Sequence, residues 1–173
     1  PALAMQSNWS RHNIFFGAEG DFGFYREHRN ENYQDYGVIV SGQYDFTEET
    51  YLILAFSQTN RHISRGALLD PEAAAPSEYE ATRQQFCFVR ELGRLQLELS
   101  GENEDVRLLD ASASGVPLSS FTSRDGQKLG GKITFEYMPD NSLFGSITYD
   151  QQDYTLPGSI RRNSQGYDNK IGW

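Results

Sequence analysis

Apolar and polar residues alternate along most of the chain, and no window holds an i, i+3, i+4, i+7 apolar stripe for long. Within 12–26, Ile14, Phe16, Ala18, Gly20, Phe22 and Phe24 alternate with Phe15, Gly17, Glu19, Asp21, Gly23 and Tyr25. Within 33–46, Tyr36, Val38, Val40, Gly42, Tyr44 and Phe46 alternate with Asp35, Gly37, Ile39, Ser41, Gln43 and Asp45. The same period recurs in 94–104, 128–137, 142–150 and the final stretch ending Tyr167, Asn169, Ile171, Trp173. Two segments alternate less cleanly. Tyr51–Phe56, inside 50–61, is apolar on both faces, and 79–91 sets Phe86 and Phe88 on one face with Gln84 and Thr82. Aromatic and β-branched content with flanking turn residues predicts strands there too. The pattern predicts an all-β, antiparallel up-and-down β-barrel of about eight strands over 12–173, with 1–11 as an N-terminal tail.

The connections sort by length. Those at 45–50, 90–94 and 138–142 are short, whereas 27–32, 62–78, 107–126 and 155–165 are longer. Long and short alternate, so hairpin connectivity places the short turns at one end of the barrel and the long loops at the other. That is the layout of an outer-membrane barrel.

Both signs of charge sit on the polar face. Glu19, Asp21, Arg83, Arg94, Glu98, Lys128, Lys132, Glu136 and Asp150 are the candidates for lining a lumen, with Asp35, Asp45, Asp168 and Lys170 on the same alternate positions. Aromatic residues gather near strand ends: Tyr44, Phe46 and Tyr51 about one short turn, Tyr137 at another, Trp173 at the chain end. Rings there suit a girdle at a membrane–water boundary. For any single tyrosine, a cross-strand packing partner is the plainer role.

Composition narrows the classes. The chain has 173 residues and a formal net charge of −9, which excludes the basic footprint of a nucleic-acid binder. A single cysteine, Cys87, excludes an internal disulfide framework. Mean hydropathy is −0.62, with no apolar run long enough for a spanning helix. A spanning strand hides its apolar residues at every second position, so a membrane barrel is compatible with that value. No signal peptide is visible, and the chain is expected to be either mature or a piece of a longer one.

Tyr44-Asp45-Phe46-Thr47 and its following strand, Ser77-Glu78-Tyr79, then Leu92-Gly93-Arg94-Leu95-Gln96-Leu97 come in one order. Phe135-Glu136-Tyr137, Asp153-Tyr154 and Ser164-Gln165-Gly166-Tyr167 complete the pattern. Together they resemble the bacterial outer-membrane family called putative β-barrel porin 2, over most of 12–173. The resemblance implies a location in the bacterial outer membrane, a porin-like role or one associated with exopolysaccharide export, and no catalytic residues. The lipid bilayer, lipopolysaccharide, and exported polysaccharide or small solutes are the partners it suggests. It also implies a longer barrel, of which this chain would be a segment.

Two other classes stay in view. A soluble lipocalin-like barrel would turn the apolar face inward around a small apolar ligand. An enzyme is not expected: His12, His28 and His62 are the only histidines, and no phosphate loop, HExxH or Ser/His/Asp order is present. No cofactor or metal is expected, although Glu102, Glu104, Asp105 and Asp110 near the second long loop could hold a divalent cation. Cys87 reads as a small apolar residue.

Overall fold

The computed structural model describes residues 1–63, 77–109, 112–113, 116–117, 123–154 and 163–173. Nine strands form one antiparallel meander: β1 (Ala2–Gln6), β2 (Asn13–Gly23), β3 (Tyr33–Thr47), β4 (Thr50–Ile63), β5 (Ser77–Leu92), β6 (Leu95–Leu108), β9 (Arg124–Met138), β10 (Asn141–Tyr154) and β11 (Asn163–Gly172). Two further strands, β7 (Ser112–Ala113) and β8 (Val116–Pro117), pair with each other apart from the sheet. A single 3-10 turn, Arg29–Glu31, sits between β2 and β3.

All eight predicted strands are present, and two expectations change. The tail expected at 1–11 contributes β1, which pairs with Phe15–Glu19 of β2. The sheet is open, because no pairing joins β1 to β11 among the described residues. Physically, Ala2–Gln6 is too short, and too rich in alanine, to show a two-residue period against its surroundings.

Three tight connections share one end of the sheet. Each closes on a two-residue loop: Thr47 pairs with Thr50, Leu92 with Leu95, and Met138 with Asn141. Gly93 takes φ +61°, where a residue without Cβ carries no steric cost. Asp140 takes φ +63° behind Pro139, whose ring presets the first turn position. The long connections at 62–78 and 155–165 lie mostly outside the described residues, as does part of 107–126.

Strands β3–β6, β9 and β10 are longer than the alternation predicted, at 14–16 residues each. Most of the added residues are at the long-loop end, where both faces turn polar and the apolar signal disappears; β3 gains only Thr47, beside its short turn. Asp105 therefore joins Glu102 and Glu104 within β6 rather than lying at a loop edge.

The sheet has almost no core. Among the described residues, Val89 and Leu108 are the only buried hydrophobic side chains. One sheet face carries most of the other apolar residues, uncovered by any second layer, while Phe15, Ile39, Tyr51, Ile53 and Phe144 lie on the opposite face.

Candidate functional site

Register sorts the side chains onto two faces. On the apolar face, Leu54, Phe86, Gly101, Leu129, Tyr149 and Tyr167 stand directly opposite one another across six strands. Toward the short turns follow Leu52, Phe88, Leu99, Gly131 and Ile147, then Leu97 with Ile133, and Leu95 with Phe135 and Leu143. The Phe86 ring lies over Gly101, where a Cβ would overlap it, so the glycine gives the ring its seat in the sheet surface. The upper border of this band steps along the strands. Val38 of β3 stands opposite Gln58 of β4, and Phe56 of β4 opposite Gln84 of β5. A stepped border is what strands inclined to a flat apolar layer produce.

Above the band, on the same face, lies a row of amides: Gln84, Asn103, Gln127, Gln151 and Gln165, each opposite the next. The two ends of the face thus differ. From β4 to β11 the apolar residues run down to the short turns, and polar rows separate them from the long-loop end.

The other face carries a ladder of opposite charges over β5, β6, β9 and β10. Arg83 Nη2 donates to Glu104 Oε1 at 2.5 Å, and Arg124 Nη2 donates to Glu104 Oε2 at 3.0 Å. Lys128 Nζ stands 3.6 Å from Glu102 and 3.8 Å from Asp150. Gln85 Nε2 donates to the second oxygen of Glu102 at 2.6 Å. On β2 and β4, Arg61 pairs with Glu19 across Gly37, which has no side chain to separate them.

Shielding is inverted between the faces. The side chains of Glu102 and Glu104 are only 21% and 18% exposed, whereas Leu99 and Ile133 on the opposite face are 48% and 54% exposed. Sheets in water shield their apolar face first, since burying it supplies the main driving force of folding.

The expected lumen residues fall into groups. Arg83, Lys128 and Asp150 join the ladder, and Glu19 pairs with Arg61. Asp21 accepts from the Tyr33 hydroxyl at 3.2 Å. Glu98 stands opposite Lys132, whose Nζ lies 5.5 Å from the Phe144 ring centre. Glu136 occupies the same face near the turns, and Arg94 lies outside the strands, in the β5–β6 turn. Glu102, Glu104 and Arg124 were missed as ladder members. Counting back from the Gly93-Arg94 turn would have found one link, since it sets Arg83 opposite Glu104.

The aromatic candidates divide as well. Tyr44 and Phe46 share the apolar face, with ring centres 5.0 Å apart, and Phe46 also meets Phe88. Tyr51 stands opposite Asp45 and Val89, which puts it on the polar face instead. The run 51–56 is apolar on both faces, so alternation alone could not assign it. Tyr137 is exposed beside the β9–β10 turn, and Trp173 follows β11.

Two histidines, His12 before β2 and His62 at the end of β4, bond to aspartates of β3. The His12 amide donates to Asp45 Oδ2 at 2.8 Å, the Asp45 amide donates to His12 Nδ1 at 3.0 Å, and the ring stacks on Tyr44. His62 Nδ1 lies 2.9 Å from the buried Asp35 carboxylate, with its ring stacked on Tyr33. Each aspartate is saturated by local donors, and neither pair has a nucleophile among these contacts. Among the described residues no cluster of His, Cys, Asp or Glu could hold a metal ion. Of the four cation candidates, Glu102 and Glu104 are neutralised by Arg83, Arg124 and Lys128, Asp105 pairs with Arg107, and Asp110 lies outside the described residues. Millimolar calcium is accordingly expected to leave the thermal unfolding midpoint unmoved. A rise abolished by Glu102→Gln with Glu104→Gln would show that the ladder opens to a cation.

No helix of the described residues is long and apolar enough to cross a membrane, a statement that does not bear on strands. No curated protein and no solved structure matches the chain significantly. The family model described as putative beta-barrel porin 2 matches residues 1–173. With its antiparallel meander, short turns gathered at one end and two chemically distinct faces, the chain belongs to that family.

Proposed function

We propose that this chain forms wall of an outer-membrane, porin-like β-barrel, with the apolar band against lipid and the charged face toward an aqueous lumen. One observation carries the reading: the carboxylates of Glu102 and Glu104 are better shielded than Leu54, Leu99, Leu129, Ile133 and Ile147 on the opposite face. Lipid reverses the usual order, because an apolar side chain loses nothing by facing hydrocarbon. Strand length agrees, since a tilted spanning strand needs about 9–11 residues and most of these exceed that. The short turns would then face the periplasm and the polar rows would rise toward the headgroups of the outer leaflet, where lipopolysaccharide is the expected neighbour.

Carboxylates outnumber cations on the charged face. Rings of one sign bias which ions pass, so the lumen favours cations. The natural polypeptide, in full, is expected to conduct in planar bilayers with a cation preference, and to migrate differently on gels before and after heating. Bilayers that stay closed over repeated insertions would refute the channel. A monodisperse, detergent-free monomer that binds an apolar ligand would favour the lipocalin-like carrier. Polysaccharide export rests on the family alone; blockage of the current by added polysaccharide chains is its test.

A further inference from the structure

A recess of about 390 Å³ opens on the charged face, over β4, β5, β6, β9 and β10. Cys87, Ser100, Gly130 and Thr148 stand opposite one another along its floor, and Ile53 and Ala55 line it from β4. A Cβ on Gly130 would come within 2.9 Å of Ser100 Oγ and 3.5 Å of Thr148 Oγ1, so the glycine keeps the space between the two hydroxyls open. Gln85, Glu102 and Lys128 bound the recess toward the long loops, and Glu98 bounds it toward the short turns. Glu98 and Glu102 are four positions apart on β6, which separates those borders by about 13 Å.

Glu98 differs from the carboxylates around it. Glu19, Glu102, Glu104, Asp150 and Asp168 each have a lysine or arginine nitrogen within 4 Å. Among the described residues, no hydrogen bond or ion pair holds Glu98. Lys132 stands opposite it, yet the Lys132 ammonium lies over the Phe144 ring, one row nearer the short turns. Lys128, at the far border, is shared by Glu102 and Asp150. Glu98 is therefore a half-buried carboxylate with its charge uncompensated, at the edge of an open recess. A half-buried charge favours a partner of opposite sign that can reach it.

The floor selects among cations. Ile53, Ala55 and Cys87 offer nothing to a hydrated inorganic ion, and among the described residues no cluster could hold a metal. A mostly apolar recess with a few placed polar groups suits a small organic molecule. We infer that this recess binds small amphipathic primary amines, the ammonium paired with Glu98 and the apolar body over Ile53, Cys87 and Gly130. The inference rests on the reading of this face as the wall of an aqueous lumen, and it names the class of cation held there.

Cys87 lines the recess and reports its occupancy. The test alkylates the natural full-length polypeptide, heat-modifiable in detergent, with iodoacetamide and follows the Cys87 peptide by mass spectrometry. Hexylammonium chloride is expected to slow alkylation at least about fivefold, as occupancy at several times Kd gives. Potassium chloride and 1-hexanol should leave the rate unchanged. Glu98→Gln should abolish the protection, and Glu104→Gln, outside the recess, should keep it. Gly130→Leu should abolish it with Glu98 intact; Ser100→Leu replaces that variant if heat modification is lost. Equal protection by 1-hexanol, or in Glu98→Gln, would overturn the inference in favour of simple apolar partition. An unprotected Cys87, or one that resists iodoacetamide in the parent, would overturn it as well. In planar bilayers the same amine should reduce the potassium current of the parent and spare that of Glu98→Gln. Closed bilayers with a protected Cys87 would refute the channel and leave the site. Open bilayers with an unprotected Cys87 would refute the site and leave the channel.

Discussion

Ile133→Arg is expected to destabilise the folded protein in phospholipid vesicles by about 2–4 kcal/mol, the cost of an arginine on the lipid face near mid-bilayer. Ile133 lies midway along the apolar stripe of β9, between Leu129 at the amide row and Tyr137 at the turn. Leu129→Arg should cost only about 0–1 kcal/mol, because a long side chain near the boundary can lift its charge into the headgroups. Urea titration of both variants against the parent, in the same vesicles, reads the difference. Dependence on depth is the discriminating feature. A soluble barrel with an apolar cavity has no bilayer depth, so equal costs at the two positions would contradict the assignment of this face to lipid.

Removing the carboxylate shared by two arginines should have the largest effect on the charged face. Glu104→Gln is expected to cost about 1–2 kcal/mol, less than for a fully buried pair because Arg83 and Arg124 are each about half exposed to solvent. Arg83 keeps a weaker partner in Glu102, 3.9 Å away, while Arg124 has no second carboxylate at that range among the described residues. A cycle with Arg124→Gln should therefore show stronger coupling to Glu104 than one with Arg83→Gln. In the proposed barrel the same substitution removes a negative charge from the lumen wall and should lower cation preference in planar bilayers. Unchanged stability together with unchanged selectivity would mean that the ladder lies away from both the fold's support and the ion path.

The two outcomes are linked by the sheet's construction. Ile133 and Lys132 are neighbours in the chain, yet one backbone step separates lipid from lumen in the proposed barrel. A one-residue slip of register would exchange the two sets of side chains wholesale, which no bilayer would tolerate. The tight loops at Gly93-Arg94 and Pro139-Asp140 hold that register at one end, where their left-handed residues suit two-residue turns.

Much of this was readable before the tertiary structure. Gly, Pro and Asp at the turns marked where strands reverse, and alternation such as Leu129, Gly131, Ile133, Phe135 against Lys128, Gly130, Lys132, Thr134 marked the faces. Both are local properties of the backbone: a strand turns successive side chains to opposite sides, and a two-residue loop demands particular dihedral angles. The sequence by itself therefore determined eight strands, two faces and the end at which the short turns gather. It lost the strands at their polar ends, where Asp105, Arg107 and Arg124 give no contrast between faces, and it could not assign Tyr51 within an unbroken apolar run. Only the tertiary structure decided which charges meet, that Ala2–Gln6 adds a ninth strand, and that the sheet stays open. Those depend on pairing between segments distant in the chain, such as β6 with β9 across residues 109–123, and on bulges that shift register. No period within a single strand encodes its neighbour, so the partners of Glu104 become visible only when the strands are laid side by side.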